Sequence, residues 1–177
     1  MNEFDIIEKY FAGLFTGGNG EVVLAAGDDC AILDVPDGQE LCVSTDTFIE
    51  GVHFLEGAPG DVVAQRALAA STSDLAAMGA SPLCCVLALT MPEADHGWLE
   101  VFSGSLGKLT DEWMIPLVGG NLARGTELSL TFTVMGIVPA GRALRRSGAA
   151  VGDDVYVSGV PGEAGAGLAL LQADSKA

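Results

Sequence analysis

Residues 3–15, EFDIIEKYFAGLF, place Phe4, Ile7, Phe11 and Leu14 at steps of three and four, the period of an amphipathic helix with one buried stripe. The glycine-rich TGGNGE that follows ends it. Three strand-like runs come next, EVVLAAGDD, CAILDV and ELCVSTDTF, the last two separated by the turn signal PDGQ. From about Asp61 to Met78 the alanine-rich stretch predicts a helix, with Gly79 as its C-terminal cap. PLCCVLALTM is a continuous apolar run of strand length, which predicts a strand buried on both faces. A second helix, about Asp95 to Trp113, precedes the strands MIPLVGGN and ELSLTFTVMGIV. Strands interleaved with helices in this order predict an α+β, two-layer fold: a mixed β-sheet with helices on one face.

The domain so predicted covers residues 1–140, and residues 141–177 read as a linker and the beginning of a second α/β domain. VPAGRALRRSGAAVGDD mixes proline, glycine and charge, DVYVSG reads as a strand, and GEAGAGLALLQAD as a helix. One strand and one helix cannot bury a core of their own. The start of a further domain and an extension that docks on the first domain are both consistent with that.

Charge narrows the function classes. Against 24 acidic residues the chain has 8 basic ones, a formal net charge of −16, so its field repels nucleic acid and anionic membrane. A polyphosphate ligand then requires bound cations as mediators. Arg124, Arg142, Arg145 and Arg146 supply half of the basic residues within one short segment, which is either an anion-facing site or a set of solvated arginines. Cys30, Cys42, Cys84 and Cys85 fall in apolar runs without metal-ligand spacing and read as buried thiols of a reducing compartment. Glu3 and Asp5 near the start, with no basic region or long apolar run, predict neither signal peptide nor membrane span, and a cytoplasmic protein.

Four polar breaks interrupt the apolar runs: Asp28-Asp29, Ser44-Thr45-Asp46, Ser73-Asp74 and Gly119-Gly120-Asn121. The first, second and fourth are read at or near strand ends, where side chains distant in sequence converge. Converging carboxylates need a cation, and oxygen ligands of this kind suit magnesium. Any one of these aspartates taken alone is also a turn-former or helix cap. Asp74 differs, because it sits inside a helix, where aspartate has poor propensity and no capping role. The glycine pair fits a close backbone approach to phosphate. In an extended segment, Asp28 and Asp29 point to opposite faces and cannot serve one site equally.

At these same residues the chain resembles a known family. GDDCAIL, STDTFIEGVHF, SDLAAMGA, LVGGN and GRALRRSGAAVGDDVYVSG occur in this order and look like the motifs of thiamine-monophosphate kinases, whose fold is shared with aminoimidazole ribonucleotide synthetase and selenophosphate synthetase. The resemblance implies transfer of the γ-phosphoryl of ATP to thiamine monophosphate, giving thiamine diphosphate, with several magnesium ions between the phosphates. It implies magnesium ligation by Asp29, Ser44, Thr45, Asp46, Asp74 and Asn121. It further implies ATP contacts from Gly120, Asn121 and Arg146, and a substrate contact from His53. His96 has no counterpart role and reads as surface. Asp29 is thereby selected as the ligand of its pair, leaving Asp28 to a backbone amide or an arginine. A homodimer is implied, joining two sheets into a barrel with nucleotide near the interface.

Two positions depart from the family pattern. Asn121 stands where aspartate is common, keeping one oxygen but no charge, and Ser71-Thr72 replaces an asparagine followed by an apolar residue. The family also has a second domain of comparable size with its own aspartate motif. The alternative reading is a nucleotide-binding dimerisation module of a related synthetase, without turnover as this chain.

Overall fold

Alternating burial along three eleven-residue strands builds the central layer of the protein, seen in a computed structural model that describes residues 2–15 and 20–174. The strands are β3 (Gln39–Ile49), β4 (Ser81–Met91) and β6 (Ser129–Pro139), joined by the shorter β5 (Leu117–Arg124). In β6 the even-numbered residues from Leu130 to Val138 are buried and the odd-numbered ones half-buried, the period-two signature of a sheet with unequal faces. Strand order is β3-β6-β4-β5, with β4 and β5 parallel and the other neighbours antiparallel. The expected mixed sheet is therefore present, and β3 forms one of its edges.

One face of the sheet carries two helices, α2 (Gly60–Ala77) and α3 (His96–Glu112). Val63, Ala67, Leu68 and Leu75 of α2 and Leu99, Phe102 and Leu106 of α3 are buried in one cluster with Phe48, Leu87, Leu89, Leu130 and Phe132 from the strands. The helices approach closely because Gly60 sits against the main chain of Trp98 and Phe102, where a Cβ would come within 2.7 Å of backbone atoms. Gly79 closes α2 as the sequence predicts: its φ is +69°, and the amide of Ala80 donates to Leu75 O at 2.9 Å. Asp95 caps α3 by accepting from the amide of Trp98.

The opposite face is partly covered by a small antiparallel pair, β1 (Val22–Leu24) and β2 (Ile32–Leu33). Val22 is buried there with Leu83, Cys84 and Val118. Leu41 and Val43 of β3, on the same face, stay 42% and 57% exposed.

Several expectations need correction. The N-terminal segment is not a regular helix: α1 (Glu3–Ile6) runs into a wider π-type turn, Ile7–Phe11, and then a tight turn, Ala12–Leu14. The extra residue in the wide turn rotates the buried stripe to Ile6, Tyr10 and Phe11, and Phe4 is left 78% exposed. The first four residues of the TGGNGE stop signal lie outside the described residues. Asp28 and Asp29 are on a bend rather than in an extended strand, because Gly27, at φ +130°, turns the chain there. Cys30 is exposed, whereas Cys84 and Cys85 are buried as read.

Residues 1–144 and 145–177 form two separate compact units. In the second, α4 (Glu163–Asp174) forms where a helix is expected, but DVYVSG is not a strand. A strand needs a hydrogen-bonding neighbour, and none of the described residues supplies one; Val155, Tyr156 and Val157 are exposed.

Candidate functional site

The edge strand β3 carries the site. Its even-numbered residues Cys42, Ser44, Asp46 and Phe48 face the helical layer, as the burial of Phe48 and the packing of Cys42 against the helix-side core require. Ser44 and Asp46 lie in the middle of the strand, not at its end as read from sequence. They are reachable because, among the described residues, no strand pairs with the outer side of β3. The side of α2 that flanks this edge brings Asp74, whose Oδ2 accepts from Ser44 Oγ at 2.5 Å.

Asp74 is not mid-helix. It falls in the last turn of α2, where its own carbonyl accepts from the amide of Met78. A carboxylate in that turn opposes the negative end of the helix dipole, and no basic residue occupies the turn to offset it. Asp46 is half-buried and, among the described residues, has no hydrogen-bond or ionic partner. Two carboxylates thus stand along one edge, Asp74 accepting from the Ser44 hydroxyl and Asp46 two residues further along the strand. That set of hard oxygen donors fits a divalent cation of the magnesium kind, which takes one or two carboxylates and completes its shell with phosphate oxygens and water. Among the described residues no three histidine, cysteine or acidic side chains converge, so the protein alone does not form a closed cage.

The remaining predicted residues are distributed around this edge. Thr45 faces away from the helices, bonding Thr133 Oγ1 at 3.0 Å and Phe132 O at 3.3 Å; only its main chain can serve the helix side. A register shift between Cys85 and Val86 puts Gly120 opposite Leu87 and Asn121 opposite Ala88. Since Leu87 is buried and Ala88 exposed, Asn121 belongs to the sheet face without helices. A Cβ on Gly120 would sit on the carbonyl oxygen of Leu87, which gives this glycine a packing reason of its own. Asp29 stays on its bend, its amide donating to Asp28 Oδ1 at 2.9 Å. Asp28 thus bonds a backbone amide, that of its neighbour. Arg146 begins a short turn in the second unit.

His53 sits on the turn after β3, its ring edge-on to Phe48 at 6.0 Å between centroids. Its Nδ1 accepts from the amide of Ile49 at 3.1 Å, so in the neutral ring the proton is on Nε2. Arg66 Nε donates to His53 O at 2.8 Å. Sequence reasoning missed Arg66. The available signal was a lone cation in an alanine-rich helix, two turns before Asp74. It also missed that His96 Nδ1 pairs with Tyr10 Oη at 2.9 Å, tying the N-terminal segment to the start of α3.

The N-terminal domain of AIR synthase related proteins matches residues 27–138. The thiamine-monophosphate kinase of Salmonella typhimurium is 49% identical over 170 residues, which is 96% of this chain and 52% of that protein. A crystal structure of thiamine-monophosphate kinase from Stenotrophomonas maltophilia superposes with a TM-score of 0.81 at 43% identity, over 88% of this chain and 49% of the other. AaThiL complexed with AMPPCP and TMP is similar at TM-score 0.74 and 29% identity, over 79% and 45% of the two chains. The chain spans about half the length of the curated relatives it matches.

Proposed function

The chain belongs to the family of AIR synthase related proteins through their N-terminal domain, and on that premise we propose that it is the nucleotide- and magnesium-binding part of a thiamine-monophosphate kinase. The observation that carries the reading is the Ser44, Asp46 and Asp74 edge: two carboxylates that no basic side chain pairs with among the described residues, in the segments STDT and SDLAAMGA. The reaction is transfer of the γ-phosphoryl of ATP to the phosphate of thiamine monophosphate. A bond forms between an acceptor phosphate oxygen and Pγ, the bond from Pγ to the bridging oxygen breaks, and ADP leaves with the electron pair. The attacking oxygen is already ionised at neutral pH, so positioning and charge neutralisation do most of the work.

Ser44, Asp46 and Asp74 would hold Mg²⁺ on the helix side of β3; of the further ligands the resemblance implies, Asp29, Thr45 and Asn121, Thr45 would serve this ion through its main chain and Asn121, on the other sheet face, would not share it. Mg²⁺ bound there would supply the positive charge that lets a polyphosphate and a phosphate monoester approach in a chain of net charge −16. Within the first unit, Gly120 and Asn121 are assigned to ATP, as the resemblance implies. His53 presents Nε2–H to the acceptor, its ring held by the Ile49 amide.

The exposed Leu41 and Val43 on the sheet face without helices support a homodimer through that face, a second copy covering what β1 and β2 leave open. No helix among the described residues is long and apolar enough to cross a membrane, and we assign the protein to the cytoplasm. Incubation with ATP, Mg²⁺ and thiamine monophosphate, followed by chromatography, tests the function. Thiamine diphosphate forming in step with ADP supports it, and the absence of both turnover and binding of the two substrates refutes it.

A further inference from the structure

We propose that Arg66 determines acceptor specificity by reading the phosphate group of the acceptor, in concert with Nε2–H of His53; the inference rests on the reading of the β3 edge given above. Arg66 is the one basic residue of α2. Its Nε is spent on His53 O, and among the described residues the four Nη hydrogens have no partner. The guanidinium is therefore oriented by one bond and open at its fork, the end that matches a phosphate with two parallel hydrogen bonds. His53, fixed as the Nε2–H tautomer by the Ile49 amide, adds a third donor from the same turn.

The position on the helix supports the assignment. Arg66 and Asp74 are eight residues apart on α2, about 12 Å along its axis. Phe48, which the His53 ring contacts, is four residues from Ser44 on β3, about 13 Å along the strand. The two spans match, so the edge is a strip with Asp74 and Ser44 at one end, Asp46 midway and an open cation at the other. Ala70 lies between Arg66 and Asp74 on the helix, exposed and with no side chain beyond Cβ to fill the strip. A metal-bound polyphosphate suits the acidic end. The open fork at the cationic end suits the phosphate monoester of the acceptor. A site so divided separates a phosphorylated acceptor from its unphosphorylated parent.

The bond from Arg66 to His53 O also ties down the turn, and the test separates that duty from phosphate recognition. Calorimetric binding of thiamine monophosphate and of thiamine, each with Mg²⁺ and a non-hydrolysable ATP analogue, is measured on the wild-type chain, Arg66→Gln and Arg66→Lys. Loss of a charge-assisted pair weakens thiamine monophosphate about 10- to 100-fold in Arg66→Gln, leaves thiamine unchanged, and is partly restored in Arg66→Lys, whose charge remains. Equal losses for both ligands, or no loss for either, overturn the assignment and leave Arg66 as a clamp on the turn. Failure of the wild-type chain to bind thiamine monophosphate overturns instead the functional reading on which the inference rests.

Discussion

Gly136 links the packing of the fold to the geometry of its site, and one methyl group tests the link. Gly136 is opposite Cys42 in β6 and buried on the helix side of the sheet. A Cβ there would lie 2.7 Å from Ser81 O and 3.2 Å from both methyl carbons of Leu75. Ordinary contact begins near 3.4 Å, so the start of β4 must retreat by about 0.7 Å and α2 must lift at Leu75, the neighbour of Asp74. Overpacking of this kind costs about 1–3 kcal/mol, which lowers the melting temperature by about 2–12 °C for a chain of this size. Gly104, in the exposed interior of α3 with nothing within 4 Å of its Cβ position, gives the same chemical change the opposite sign. There alanine removes unfolded-chain entropy, gaining about 0.5–1 kcal/mol, or about 1–4 °C. Thermal unfolding of both variants, followed by circular dichroism, is the assay. A Gly136→Ala variant that melts at or above wild type refutes the close approach of α2 to the sheet, and a Gly104→Ala variant that melts below wild type refutes the open space around Gly104.

Further predictions concern buried groups. Burial raises the Cys84 thiol from 9.0 to about 11, so the folded state keeps a proton that the unfolded chain releases between those values. Stability therefore falls as pH rises from 9 towards 11, and urea titrations across that range check it, with Cys84→Val expected to flatten the slope. Under native conditions a thiol reagent modifies exposed Cys30 rapidly and Cys84 and Cys85 only on unfolding; fast labelling of all the cysteines contradicts the burial. Ser71 Oγ is buried with no partner among the described residues, so Ser71→Ala stabilises by about 1 kcal/mol in urea unfolding, and a destabilised variant indicates a hydrogen bond for it.

Where periodicity and local chemistry decide an element, the sequence is a sufficient guide. The Gly79 cap, the Asp95 cap and the long strands β4 and β6 follow from residues within a few positions of one another. What escapes it is any one-residue insertion. The wide turn at Ile7–Phe11 moves the buried face away from Phe4, and the register shift at Val86 moves Asn121 to the sheet face opposite Asp46. Both leave the apolar pattern almost intact, since each slips a side chain between faces that are both partly apolar. Asp46 and Asp74 were legible as polar breaks, but their meeting depends on where α2 crosses the sheet. Arg66 stands out in the sequence as a lone cation in an alanine-rich helix, but its partner, a main-chain carbonyl thirteen residues earlier, is not legible there for the same reason.

The central claim is that Ser44, Asp46 and Asp74 hold a magnesium-bound nucleotide on the helix side of β3. Calorimetric titration of a non-hydrolysable ATP analogue with Mg²⁺ into wild type, Asp46→Asn, Asp74→Asn and Thr45→Val tests it directly. The account predicts that both aspartate variants lose Mg²⁺-dependent binding, whereas Thr45→Val, altered on the other face of the sheet, binds as wild type does. Undiminished binding by both aspartate variants, or loss confined to Thr45→Val, contradicts it.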